Sequence, residues 1–229
     1  MYTVPAVITA SRILKLLARS KYRQSTLTEI ADHLAINKST CLRVLRTLQQ
    51  EELVRYNERT RMYMLGSYLI VLGNRAADFL DDVAIARVHL SNLAHETGHT
   101  AILAQKSGAD KWICIAKEEP PVDFRITITI GQQFPIDGTS LGACLRMLDE
   151  TVNFEQSQVL EKGYAVSMDG FRKGISSVAA PIIYKDQEVR YVLSLLAVTS
   201  SVSASGLQKL AERVKAEALR ISEQISRLV

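Results

Sequence analysis

The chain has 229 residues, 47% hydrophobic and 23% charged, with 28 Lys+Arg, 24 Asp+Glu and three cysteines. At ~100–200 residues per domain that is one large or two small folded units, and the composition argues against a disordered or fibrous chain. The charge is divided unevenly: residues 1–66 hold 11 Lys+Arg and 5 Asp+Glu, net +6, whereas residues 67–229 hold 17 and 19, net −2. A basic head on a mildly acidic body suggests that the head meets a polyanion. No stretch approaches the ~18 uninterrupted apolar residues of a membrane span. The opening MYTVP lacks a basic region leading into an apolar one, so no secretory signal is expected. Cys41, Cys114 and Cys144 are odd in number, far apart and without a CxxC partner. That pattern argues against a disulfide scaffold or a cysteine-held zinc and suits a reducing cytoplasm, with no membrane association.

In chain order, Val7, Ala10, Leu14 and Leu17 share one helical face behind Pro5. A second helix opens at Thr26, where Thr26 and Glu29 form a capping-box pair, and buries Leu27, Ile30, Ala31 and Leu34. After the short break Ala35-Ile36, Asn37 is a good N-cap for a third helix over 38–50. Cys41, Val44, Leu45 and Leu48 form its inward stripe; Ser39, Leu42, Arg43 and Arg46 lie on the other side. Two short helices, a tight turn and a third helix with a cationic outer face make a helix-turn-helix, whose third helix fits the major groove. Arg reads guanine bidentately, and Leu42 suits a thymine methyl or, equally, the core. Strand-like 53–56, the turn residues 57–60 and strand-like 61–65 form a hairpin, the wing of a winged helix. Arg59 and Arg61 at its tip would contact phosphates or a minor groove. The candidate DNA contacts are Thr26, Lys38, Ser39, Thr40, Leu42, Arg43, Arg46, Arg59 and Arg61, and the partner is double-stranded operator DNA.

Beyond Gly66, residues 67–97 read as helical, with a stripe of Leu69, Leu72, Ala76, Phe79, Leu80 and Val83. Segments 100–105 and 112–117 are apolar strands around the turn Ser107-Gly108-Ala109-Asp110. Segment 125–130 alternates Ile126, Ile128 and Ile130 with Thr127 and Thr129, a half-buried strand. Helices are expected over 139–147, 154–162 and 205–228, and strands over 177–183 and 191–199.

The segment TLTEIADHLAINKSTCLRVLRTLQQEELV (26–54), the wing and its closing Leu65-Gly66 resemble the DNA-binding half of the IclR-type transcriptional regulators. LAHETGHTAILAQ (93–105), FPIDGTSLGA (134–143) and GYAVSMDGFRKGISSVAAPII (163–183) resemble later signatures of the same family, so the likeness runs nearly the length of the chain. It implies an α+β protein: a winged helix-turn-helix over 1–66, a helical linker and dimerisation segment over 67–97, and a GAF-like α/β effector-binding domain over 98–229. It implies a homodimer or homotetramer and a small-molecule effector, an organic or aromatic acid, that modulates operator binding. The family's effector positions carry over to Ile126, Ser140, Leu141, Ser167, Ile175, Ser177, Ser194 and Leu196. Each could equally be a packing or capping residue. The chain departs from the family at Asp137 (a frequent His), Ala143 (a common Lys), Gly170 and Arg172 (frequent acids) and Ser177 (a frequent Cys). Asp137 would disfavour an anion unless paired or turned outward, and Arg125 and Arg172 could offset it.

Enzyme chemistry finds little support. His95-Glu96-Thr97-Gly98-His99 spells H-E-x-x-H, but Gly98 is a helix C-cap and His99 leads into a strand, so the two His would not share a helical face. GxSxG, GxxxxGK[ST] and GxGxxG do not occur, Cys144 without a His base reads as a core thiol, and no catalytic residue, metal or cofactor is expected. Two other readings remain: a small-molecule enzyme on a GAF-like body, and a winged-helix protein–protein interaction module. Neither would make DNA affinity depend on Arg43 and Arg46.

Overall fold

The computed structural model describes residues 3–78, 81–147, 159–184 and 188–227. The chain divides into two compact units, Met1–Phe79 and Leu80–Val229.

The first unit holds α1 (Pro5–Leu17), a 3-10 turn (Ser20–Tyr22), α2 (Leu27–Leu34), α3 (Lys38–Gln50), β1 (Val54–Asn57), β2 (Met62–Leu65) and α4 (Tyr68–Asp78). Local chemistry fixes the helix-turn-helix. Thr26 Oγ1 accepts the Glu29 N–H at 3.3 Å while Glu29 Oε2 accepts the Thr26 N–H at 2.7 Å, so the capping box closes. Helix α2 stops at Ala35, which takes φ +52°, and the Ile36 N–H returns to the Ala31 carbonyl at 3.0 Å. Asn37 Oδ1 then accepts the Ser39 N–H at 2.8 Å and starts α3. The core joins Ile13, Leu16 and Leu17 of α1 to Ile30, Ala31 and Leu34 of α2, Cys41, Leu45 and Leu48 of α3, and Val54 and Tyr63 of the hairpin. The face expected for α1 is rotated and shortened: Leu17 is buried and Ala10 and Leu14 pack against the core, but Val7 is 64% exposed. The first turns of α1 run past the edge of this small core, and periodicity alone does not say where a core ends.

Strands β1 and β2 pair antiparallel from Val54↔Leu65 to Asn57↔Met62. Ser25 adds one rung, exchanging both backbone hydrogen bonds with Tyr63 at 3.1 and 2.8 Å. At the tip, Asn57 Oδ1 accepts the N–H groups of Arg59 and Thr60, and Arg61 sits at φ +57°. A Cβ at Gly66 would lie 1.9 Å from the Glu52 carbonyl oxygen, so only glycine lets the chain leave the wing here.

Residues 67–97 hold two helices, α4 in the first unit and α5 (Asp81–Thr97) in the second. The expected single stripe does not form. Leu72 and Ala76 are exposed, Val83 belongs to the core of the second unit, and Phe79 and Leu80 lie outside the described residues.

The second unit continues with β3 (Thr100–Lys106), β4 (Lys111–Glu118), β5 (Gln133–Pro135), α6 (Ser140–Leu145), β6 (Ala165–Met168), β7 (Ile175–Ile183), β8 (Val189–Val198) and α7 (Ala204–Ser226). The strands form one antiparallel sheet, order β5-β4-β3-β8-β7-β6. Because side chains alternate across a strand, each face has its own core. On one, Ala101, Leu103, Val178, Ala180, Ile182, Leu193 and Leu195 meet α5 and α7. Helix α7 buries Leu207, Ala211, Val214, Ala218, Ile221 and Ile225, steps of four and three along one stripe. Within this layer His89 Nδ1 lies 2.6 Å from Glu217 Oε2, both buried, and Arg220 donates to the other carboxylate oxygen at 2.7 Å. On the other face, Ile102, Cys114, Ala179, Val192 and Leu196 meet α6. Trp112 belongs to that core, stacked 4.5 Å from Phe134, and its indole N–H has no partner among the described residues.

The strand expected over 125–130 is absent. Residues 125–129 have no regular secondary structure and 130 begins a turn; Ile128 is buried and Ile126 half-buried, but Ile130 is exposed. Pairing with β4 begins only at Gly131, whose N–H bonds the Cys114 carbonyl, and continues through β5. The short strands β5 and β6 had no alternation long enough to announce them. Of the helix expected over 154–162, residues 154–158 lie outside the described residues and 159–162 are helical.

Candidate functional site

The outer face of α3 is open. Lys38, Ser39, Arg43 and Arg46 are exposed, Thr40 and Leu42 half-buried. The side chains of Arg43 and Arg46 make no ion pair or hydrogen bond among the described residues, so five donors on each fork remain to be used. Arg59 and Arg61 are likewise exposed at the wing tip. Thr26 and Ser39 are committed locally. The Thr26 hydroxyl donates to Glu29 Oε2 at 3.0 Å and the Ser39 hydroxyl to Asn37 Oδ1 at 2.9 Å, so both can offer only acceptors without breaking a cap. Lys21 and Arg23, exposed just before α2, widen the basic surface. No periodicity singled them out, because they sit in a 3-10 turn and the loop after it.

In the body, α6 begins under an N-cap in which Thr139 Oγ1 accepts the Gly142 N–H at 2.9 Å. A Cβ at Gly142 would lie 1.8 Å from the Ile136 carbonyl oxygen, so this glycine lets α6 press onto the preceding loop. Ser140, at the first turn, shares a hydrogen bond of 2.7 Å with Ser177 on β7. Ser167 faces Ser177 across the β6–β7 pair, and its hydroxyl donates to the Gly138 carbonyl at 3.2 Å. Ile175, Ser177, Ser194 and Leu196 share that sheet face, with Leu141 above it and Ile126 packed against its core. The eight carried-over residues thus gather on the α6 side of the sheet. They are not equal. Ser194 is fully buried and its hydroxyl donates to the Val178 carbonyl at 2.7 Å, which fits a strand-bracing role.

An open cleft of about 530 Å³ lies at the sheet's end. It is lined by residues 97–100, Val122, Phe124, Arg125, Ile126, Leu196, Val198, Ser200 and Ser201. Only Ile126 and Leu196 of the carried-over set reach it. Sequence reasoning missed His99, Phe124 and Val198: His99 was seen only as half of a metal motif, and Phe124 lies in a loop without pattern.

Asp137 is offset, but not as expected: its carboxylate pairs with Arg146 Nη1 at 2.7 Å. Arg125 pairs instead with Glu119 at 2.8 Å. Glu119 also accepts from Lys117 Nζ and Thr127 Oγ1, each at 2.5 Å, and these three donors hold its carboxyl down to about 2. Helix α5 ends as Gly98 turns to φ +68°, so His95 and His99 do not share a helical face, while Glu96 pairs with Arg213. Among the described residues no group of three His, Cys, Asp or Glu could hold a metal. Burial pushes the Cys41 and Cys114 thiols up to about 11 and Cys144 further still, leaving no thiolate nucleophile at neutral pH.

Residues 6–58 match the IclR helix-turn-helix domain, and residues 149–223 match the bacterial transcriptional regulator IclR C-terminal domain. The glycerol operon regulatory protein of Streptomyces coelicolor is 30% identical over 199 residues, covering 76% of each chain. The chain belongs to the IclR family. Like other IclR proteins it is a DNA-binding transcriptional regulator with an effector-binding C-terminal domain, a class that is not enzymatic. The crystal structure of an IclR transcriptional regulator from Alicyclobacillus acidocaldarius superimposes with a TM-score of 0.88 at 42% identity, covering 97% of this chain and 99% of that one. An IclR homolog from Microbacterium hydrocarbonoxydans, complexed with 4-hydroxybenzoate, has the same fold, with a TM-score of 0.79 at 15% identity over 98% of this chain and all of that one. Among the described residues no helix is long and apolar enough to cross a membrane.

Proposed function

We propose that this IclR regulator acts as a homodimer or a dimer of dimers. Each head (1–66) lays α3 in a major groove of one operator, and a small organic or aromatic acid in the body (98–229) changes operator affinity. Arg43 and Arg46 read base edges, with Leu42 against a thymine methyl. Lys38 and Thr40 in the first turn of α3, with Arg59 and Arg61 on the wing, hold phosphates; Thr26 and Ser39 touch the backbone as acceptors or through water. The observation that carries this reading is the open, unpaired cationic face of α3 on a rigidly capped helix.

Two further observations support the assembly and the ligand. Tyr68, Ile70, Val71 and Leu72 of α4 are exposed apolar residues, as are Val4, Val7 and Ile8 at the start of α1. Such surface calls for a partner, and the segment 67–97 supplies it in the dimer. The serine cluster around Ser140, Ser167 and Ser177 offers hydroxyls beside the apolar walls Ile126, Leu141, Ile175 and Leu196, the mixture that orients a small metabolite. The 4-hydroxybenzoate held by the Microbacterium homolog belongs to the same chemical class. The protein works in the cytoplasm, where its three buried cysteines stay reduced, and needs no cofactor.

The test is the double variant Arg43→Ala, Arg46→Ala, measured against a duplex selected by the wild-type chain from a random library. Each bidentate arginine is worth about 1–3 kcal/mol of specific binding, so the pair should weaken the selected duplex about thirtyfold or more and relax the base preference, while the salt dependence, set by the phosphate contacts, changes little. Undiminished DNA affinity would end this reading.

A further inference from the structure

Among the described residues no carboxylate lines the cleft at the end of the sheet: its titratable members are Arg125 and His99. Arg125 is held from behind. Its Nε donates to Glu119 and one Nη1 hydrogen to the Val122 carbonyl at 3.0 Å, which leaves Nη2 without a partner among the described residues. Glu119 is shared with Lys117, and of these three charged residues only Arg125 lines the cleft. A guanidinium fixed in this way loses little further entropy on meeting an anion.

The hydroxyls along the cleft are mostly spent. Those of Thr97, Thr100 and Ser201 donate to the carbonyls of Leu93, Ile126 and Val198. The donors left to a ligand are Arg125, the half-buried His99 ring and exposed Ser200. Burial lowers the His99 pKa, so at neutral pH the ring is uncharged and can donate from one nitrogen. Around these groups stand Val122, Phe124, Ile126, Leu196 and Val198. Phe124 is 80% exposed on the rim, an aromatic surface that gains by being covered.

We propose that this cleft binds a small carboxylate with an apolar body, its carboxylate on Arg125 and His99 and its body against Phe124, Ile126 and Leu196. The inference rests on the body being a ligand-binding domain, and it gives that domain a second carboxylate site, beside the serine cluster. Leu196 joins the two places, because it lines the cleft and pairs with Ser177 across β7 and β8.

The test uses the full chain, isothermal titration calorimetry and three probes: benzoate, hexanoate and neutral benzamide. Benzoate and hexanoate should bind, and benzamide at least tenfold more weakly than benzoate. Arg125→Gln should weaken both carboxylates about tenfold to a hundredfold, the loss of one charge-assisted hydrogen-bond pair, and leave benzamide unchanged. Arg125→Lys should retain part of the affinity, and Leu196→Trp, which fills the cleft, should abolish it in a chain whose circular dichroism is unaltered. The proposal is overturned if neither carboxylate binds at millimolar concentration, or if Arg125→Gln and Leu196→Trp bind as wild type does. The wider reading has its own outcomes: carboxylate binding that survives those two variants but is lost in Ser140→Trp places the ligand on the serine cluster, overturns the cleft and keeps the body as a sensor, whereas no binding to wild type of any of the three probes removes support from both.

Discussion

Single residues divide by whether their partners are near in sequence. Glu119 takes hydrogen bonds from Lys117 and Thr127 and from the Arg125 guanidinium. Its folded pKa of about 2 lies below the ordinary 4.5, so the folded state favours the ionised form. A depressed carboxylate contributes stability that is complete above the unfolded pKa and is lost as pH falls through the folded one. The gap in urea midpoint between wild type and Glu119→Gln should therefore be constant from about pH 7 to about pH 5 and narrow as pH drops below 4.5 toward 2. A gap that widened on acidification would show that the carboxylate is not the stabilising form. The same residues show what stayed hidden in the sequence. Asp137 needed a counter-charge, and both Arg125 and Arg172 were candidates, yet Arg146 at the end of α6 supplies it. Charge alone names the need; which cation meets it depends on where α6 points.

Elements were legible to the extent that their signals were local. The capping box of α2, the Asn37 cap of α3 and the hairpin turn are written within four residues, and each forms as read. Thr26→Ala, which removes the side-chain half of the box, should cost the first unit about 1 kcal/mol, measured by chemical denaturation. It should also weaken DNA binding, because α2 braces α3; a neutral outcome in both would mean that the Glu29 half alone sustains the helix. Elements defined by distant partners were misread. Residues 125–130 alternate as a strand does, but alternation reports only that one face is covered; the ladder partner lies elsewhere, and β4 pairs with 131–135 instead. Helix α1 shows the complement: its apolar turns at Val4, Val7 and Ile8 continue the pattern past the point where its own core can cover them. The carried-over effector residues gather on one sheet face because strand parity is preserved, whereas the cleft beside them is made by a loop, a helix exit and a strand end that no pattern connects.

At the scale of the whole molecule, the chain is two units, each with its own buried core layers. The eleven-residue buried cluster of the first unit shares no member with the two clusters that sandwich the sheet. Differential scanning calorimetry should resolve two transitions, and a carboxylate that binds the body should raise only the transition of the larger unit, with selected duplex raising the other. One transition that no ligand can split would mean that the two units melt together. The uneven charge follows the same division: the net positive charge lies in the half that meets a polyanion.

Trp112 gives this arrangement an optical handle. It is the chain's one tryptophan, and it sits 3% exposed against Phe134 with no hydrogen bond from its indole N–H among the described residues. An indole so placed emits toward the blue and moves to the red when water reaches it, whereas the head contributes only tyrosine. Emission excited beyond the tyrosine band is therefore an intrinsic spectroscopic reporter seated in the sensor, with no direct contribution from the head, so any change that duplex DNA produces in it reads the coupling between the two.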